Sequence, residues 1–175
     1  MARVELLAEE IGARMKGRGG PEARRAFMHR PAMADVIGQF NDVVALSSLE
    51  PRLHEVVRYR IAHINGCTRC KAYRSPEGIA AGVSEELLDD VVSWRTSGKF
   101  TELEQLCLDY AERFCTEPTS ITEAHTDALR HLLGDGGLVD LTVCVAKYLA
   151  IGRLISVLDL DQACEIGSPV LVHQG

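Results

Sequence analysis

Cys67 and Cys70 stand at C-x-x-C spacing in the stretch Gly66-Cys67-Thr68-Arg69-Cys70, just after a glycine and at the start of a helical run. Residues three apart share one face of a helix, so the two sulfurs lie close enough to form a disulfide. The thiolate is the reactive form of cysteine, and a free thiol with a pKa of about 8.5 is mostly protonated at neutral pH. Helix N-termini, nearby cations and the C-x-x-C geometry itself lower that value to about 3.5–7.5. This stretch offers all three: Cys67 falls at the predicted helix N-terminus, Arg69 and Lys71 flank Cys70, and Arg74 follows one turn later. Such a thiol attacks the O–O bond of a peroxide, becomes a sulfenic acid, and is resolved by its neighbour into a disulfide.

Two other readings of the pair stand beside redox chemistry. A zinc site normally takes four ligands, and the chain has no second C-x-x-C, C-x-x-H or H-x-x-H pair; His63 precedes Cys67 by four residues but belongs to the preceding helix. No metal is therefore expected. Two cysteines packed by chance in one helix is the remaining reading.

The elements that must position the pair read as helices throughout. Val4, Leu7, Ala8, Ile11 and Met15 predict an amphipathic helix over 4–16, ended by Gly17-Arg18-Gly19-Gly20-Pro21. Such an arm packs either on a neighbouring copy or on its own core. A short helix follows over 21–30, and Pro31 opens another to about Leu46. Pro51 starts the next, where a missing N–H costs nothing, and Leu53, Val56, Val57, Arg60, Ile61 and Ile64 trace one face up to the break at Asn65-Gly66. Beyond Cys67–Arg74, Ser75-Pro76 and Ser84-Glu85 start further helices, while Thr101/Glu104 and Ser120/Glu123 read as capping boxes. Gly134-Asp135-Gly136-Gly137 separates the last two helical runs. With no alternating stretch bounded by hairpin signals, the expectation is an all-α single domain of eight or nine helices: an arm and tether over 1–20, then a bundle over 21–175.

The totals narrow the function classes. A chain of 175 residues suits one domain of ordinary size, and a net charge of −6 fits poorly with a polyanionic partner, so no nucleic acid is expected. The apolar run Leu138 to Leu158 is long enough to span a bilayer, but Asp140, Lys147 and Arg153 interrupt it at about 2.5–3.5 kcal/mol each near the centre. It reads as a buried core helix, with no membrane partner. Acids run through the first ten residues, which excludes a signal peptide and makes the cytoplasm the default compartment. In a reducing compartment six cysteines do not form a structural framework. Cys107, Cys115 and Cys144 read as small hydrophobes, and Cys164, near the tail, as packing or chance.

The segments Leu53-His54-Glu55-Val56-Val57, Arg60-Ile61-Ala62, Asn65 to Cys70 and Ala80-Ala81-Gly82-Val83-Ser84 resemble the core of the carboxymuconolactone decarboxylase family, specifically its alkylhydroperoxidase D-like branch. The resemblance covers about residues 46 to 94, and a glutamate twelve residues before the first cysteine, met by Glu55, is specific to that branch. It implies a thiol-dependent peroxidase for organic hydroperoxides, with Cys70 as the peroxidatic thiol, Cys67 as the resolving thiol and Glu55 as a proton-relay carboxylate. It also implies a homo-oligomer such as a trimer or hexamer. No bound cofactor is implied; electrons would come from an external dithiol reductant, as from a lipoyl domain, and a peroxiredoxin can be the partner served.

The branch's relay histidine, four residues after the second cysteine, is replaced here by Arg74, and the histidine found in some members just before that cysteine is replaced by Arg69. Arginine, with a pKa above about 12, cannot pass a proton near neutral pH. If the 51–64 helix folds back at Asn65-Gly66, Glu55 and Arg74 stand roughly level, which predicts an ion pair between them. His54 and His63, nine residues apart and expected on one face, are candidates for the lost proton transfer. Tyr73, three after Cys70, is a candidate wall of a small apolar pocket. Two alternatives stay open: lactone decarboxylation, the family's other activity, which does not need two thiols, and a non-catalytic helical oligomer that senses oxidants.

Overall fold

The computed structural model describes residues 1–160, all of whose regular structure is helical. Cys164 lies outside the described residues. The helices are α1 (Glu9–Gly12), α2 (Pro21–Phe27), α3 (Pro31–Val44), α4 (Pro51–Ile64), α5 (Thr68–Ala72), α6 (Pro76–Ala80), α7 (Glu85–Asp90), α8 (Trp94–Ser97), α9 (Glu102–Thr116) and α10 (Glu123–Leu158). Short 3₁₀ turns at Val91–Ser93 and Pro118–Ser120 complete the order.

Local chemistry explains most of the boundaries. Proline occupies the first turn of α2, α3, α4 and α6. Ser75 and Ser84 cap α6 and α7, their hydroxyls accepting from Gly78 N at 3.0 Å and Leu87 N at 3.2 Å. Thr101 and Glu104 close the expected capping box at 3.2 and 2.8 Å. The second box is displaced from the expected Ser120/Glu123. Thr122 is the cap and His125 the third residue, because Pro118–Ser120 is taken up by the 3₁₀ turn. The last two runs join in one element that breaks at Gly134, whose φ of 71° and ψ of 173° suit glycine.

α4 is the central rod. Its Leu53, Val56, Val57 and Ile61 are buried against Leu88 and Val91, Leu108 and Ala111 of α9, and Leu141 and Val145 of α10. Each fully buried aliphatic side chain contributes about 1.5–3 kcal/mol relative to exposure, so this face fixes the orientation of α4 and of what it carries. α10 contains a window of mean hydropathy 1.7 and is long and apolar enough to cross a membrane. It buries Leu129, Gly137, Leu141, Cys144, Val145, Gly152 and Ile155 and leaves Val139 and Val157 exposed. The expected buried core helix thus buries one side and leaves the other open. Its interrupting charges have local partners: Asp140 accepts from Ser48 N and Oγ, and Arg153 donates to the Cys115 carbonyl.

The N-terminal segment differs from expectation. Only Glu9–Gly12 is helical, and the chain before it lies on its own core: Arg3 N donates to Leu158 O at 2.9 Å, while Val4 and Leu6 join a second apolar cluster with Ala23, Ala26, Cys67 and Ile155. Carbonyls that a longer helix would pair internally are taken by the guanidinium groups of α2. Arg24 donates to that of Gly12 and Arg25 to that of Leu7. That arrangement satisfies the backbone without a helix over 4–16.

Candidate active site

α4 ends at Asn65, and Gly66, at φ 63°, takes the left-handed turn that reverses the chain. Cys67 is the N-cap of α5, extended at φ −80° and ψ 102°, and its sulfur accepts the Cys70 N–H at 3.2 Å. The two cysteines form a disulfide with an S–S distance of 2.06 Å. They are not equivalent: Cys67 has 0% exposure beneath α2 and the N-terminal segment, while Cys70 is partly exposed. Of the two, Cys70 is the residue with surface open to solvent, and Cys67, when reduced, sits where a backbone N–H favours its thiolate.

Glu55 is 3% exposed and Arg58, one turn along α4, is 5% exposed. They form a bidentate pair, Arg58 Nε to Glu55 Oε2 at 2.8 Å and Nη2 to Oε1 at 2.6 Å. The same guanidinium donates from Nη1 to the Cys70 carbonyl and from Nη2 to the Tyr73 carbonyl at 3.1 Å. One buried cation thereby joins the site glutamate to the middle and the C-terminal end of α5. Gly78 of α6 completes the enclosure, for a Cβ there would stand 2.9 Å from Glu55 Cβ and Cγ.

The expected Glu55–Arg74 pair is not present. Tyr73 is extended (ψ 140°), so the chain leaves the helix before Arg74 and turns that side chain outward. Arg74 binds Glu85 through two 2.6 Å bonds and lies 5.1 Å from the Tyr59 ring. That bond raises the Arg74 pKa and lowers that of Glu85. Arg58 takes the place expected for Arg74, and sequence reasoning missed it; the available signal was its i,i+3 spacing from Glu55.

The two histidines are not brought together. Nine residues is about two and a half helical turns, which puts them on opposite sides of α4 and not on one face. His54 Nε2 lies 2.8 Å from the Tyr148 hydroxyl and Nδ1 lies 3.3 Å from Ser47 Oγ, with its pKa lowered by burial and then by Lys147. His63 stacks edge-on to Tyr59 at 4.9 Å, and burial, then Lys71, lowers its pKa. Tyr73 is half-buried with Arg58 5.5 Å from its ring; burial, then Glu55, raises its phenol pKa. Lys147, a charge in the apolar run, stands 3.9 Å from the Tyr148 ring and is pushed down to about 7 by burial and by Arg58. Arg69 lies against Gly20. Cys107 and Cys115 are buried, their thiols pushed up to about 12 and about 11 by desolvation. Among the described residues no group of three or more His, Cys, Asp or Glu is placed to hold a metal ion.

Residues 31–113 match the family model described as Carboxymuconolactone decarboxylase family. The uncharacterized protein YnjA of Escherichia coli is 28% identical over 114 residues, 65% of this chain, and the chain covers 63% of that protein's length. A protein of unknown function from Agrobacterium tumefaciens, a candidate antioxidant defence protein AhpD, superposes with a TM-score of 0.70 at 23% identity, covering 79% of this chain and 96% of that one. An uncharacterized peroxidase-related protein from Ralstonia eutropha with an alkylhydroperoxidase AhpD core gives 0.73 at 19% identity, covering 91% and 90%. The debrominase Bmp8 gives 0.67 at 18% identity, covering 79% and 75%. At these identities the structural neighbours establish the fold, the all-α alkylhydroperoxidase D-like type.

Proposed function

We propose that this chain, whose residues 31–113 match the carboxymuconolactone decarboxylase family model, is a thiol-dependent peroxidase that reduces organic hydroperoxides through Cys70 and Cys67. The observation that carries the proposal is the asymmetric pair: a partly exposed Cys70 bonded to a fully buried Cys67 at the N-cap of α5, with cations on both sides of Cys70.

In the cycle, the Cys70 thiolate attacks the distal oxygen of ROOH. The O–O bond breaks, Cys70 becomes the sulfenic acid, and the alkoxide leaves as ROH after taking a proton. The Cys67 thiolate then attacks the Cys70 sulfur, the disulfide forms, and water departs. A dithiol donor returns two electrons and two protons. Arg58 keeps the Cys70 carbonyl, and with it the α5 turn, in place through these steps, and its charge favours the thiolate. Glu55, held on two bonds by Arg58, acts in this reading as the anchor of that guanidinium.

The test is to treat reduced protein with a stoichiometric organic hydroperoxide, count thiols, and then add a dithiol reductant and look for turnover. Loss of two thiols followed by turnover is the expected result. Two thiols lost without turnover favours an oxidant sensor, and no thiols lost ends both redox readings. Cys70→Ser removes the first oxidation, whereas Cys67→Ser allows it and stops at the sulfenic acid.

A further inference from the structure

Several charges of the fold are neutralised in pairs: Arg52 with Glu104, Arg60 with Glu112, Arg95 with Asp109. The cations beside the reactive sulfur differ. Among the described residues neither Arg69 nor Lys71 has a carboxylate or hydrogen-bond partner for its charged group. The site glutamate Glu55 is engaged by Arg58, and Glu85 by Arg74. Consecutive helical residues point about 100° apart, so these two cations stand on either side of Cys70. Arg69 leans on Gly20 and Lys71 lies within electrostatic reach of His63. The chain as a whole has a net charge of −6, so an unpaired positive margin around the partly exposed Cys70 runs against the overall charge.

We propose that Arg69 and Lys71 select an anionic dithiol as the electron donor of this site, an inference that rests on the redox reading above. The donor's first thiolate attacks Cys70 Sγ, the Cys67–Cys70 bond breaks, and its electron pair goes to Cys67 Sγ, which the Cys70 N–H stabilises. The donor's second thiolate attacks its own sulfur in the mixed disulfide and releases Cys70 as the thiolate. Two electrons and two protons pass to the protein, and the donor leaves as its cyclic disulfide. Unpaired cations flanking the attacked sulfur attract a negatively charged donor to it, and this attraction is screened within about 10 Å at 0.1 M salt.

Two dithiols that differ in one carboxylate, dihydrolipoate and neutral dihydrolipoamide, separate charge selection from thiol chemistry. Second-order rates of disulfide reduction are measured by acid quench and mass analysis of the alkylated thiols. The readout is the ratio of the two donors, which cancels any change in the intrinsic reactivity of the thiols. Dihydrolipoate is expected to be the faster at low salt, with the advantage lost as salt is raised. Arg69→Glu and Lys71→Glu each lower the ratio about fivefold, the size of one favourable exposed charge contact. Arg69→Lys with Lys71→Arg keeps it. A wild-type ratio of one, or a ratio unmoved by charge reversal, overturns the selection while leaving the redox reading intact. If neither donor reduces the disulfide, the redox reading itself fails.

Discussion

Removal of Arg58 is the perturbation that tests most of this site at once. Arg58→Leu leaves Glu55, at 3% exposure, with a buried carboxylate facing a hydrocarbon side chain, and frees the carbonyls of Cys70 and Tyr73. Breaking a buried ion pair by deleting one partner costs about 3–5 kcal/mol, and each lost carbonyl hydrogen bond adds about 0.5–1.5 kcal/mol. Against a total stability of about 5–15 kcal/mol, the variant is still expected to fold at 25 °C in most of that range. Its melting temperature should fall by at least about 8–16 °C, taking the smallest total of about 4 kcal/mol and about 2–4 °C per kcal/mol for a chain of this size. Glu55→Leu alone leaves Arg58 buried with only the two carbonyls. The double variant removes both charges together, and an apolar replacement of a buried pair is often neutral. Urea unfolding of the four proteins, all in the disulfide form, then gives a coupling energy of about 3 kcal/mol between Glu55 and Arg58. Additive single effects, with coupling below about 0.5 kcal/mol, would refute the claim that this pair holds the α5 turn.

Arg74→Ala should cost no more than about 1 kcal/mol in the same assay, since its partner Glu85 is 68% exposed and surface pairs contribute little. Alkylation of the reduced protein, followed by peptide mass analysis, should label Cys70 first and Cys67 far more slowly. Cys107 and Cys115, with thiols pushed up to about 12 and about 11, should react only after unfolding. Lys147 titrates near 7 in the fold and at about 10.4 in the unfolded chain, so between those values the unfolded chain binds more protons and stability rises with pH. That slope is at most about 1.4 kcal/mol per pH unit, and urea midpoints from pH 7 to 9 should show it in wild type and lose it in Lys147→Met.

Much of this protein was legible in residue order because the signals are local. The C-x-x-C spacing, the Asn65-Gly66 break before it and the Pro51 start of α4 each act within a few residues, and all three stand in the fold. The capping box at Thr101 is equally local, whereas the one read at Ser120 moved two residues once the Pro118 turn formed. Which residue would meet Glu55 was not legible: a hairpin of two helices placed Arg74 level with it. One extended residue, Tyr73, turned Arg74 toward Glu85 and left the place to Arg58. The docking of the N-terminal segment was likewise open, because its apolar residues suit a neighbour or its own core equally well. The arginines of α2, reaching the carbonyls of residues 6 to 17, decided it. Sequence alone therefore determined that Cys67 and Cys70 stand within disulfide reach at a helix start and that helices present them. Which cation meets the glutamate, and which cysteine keeps exposed surface, was decided by tertiary structure, because both depend on how α5 and its neighbours pack on α4.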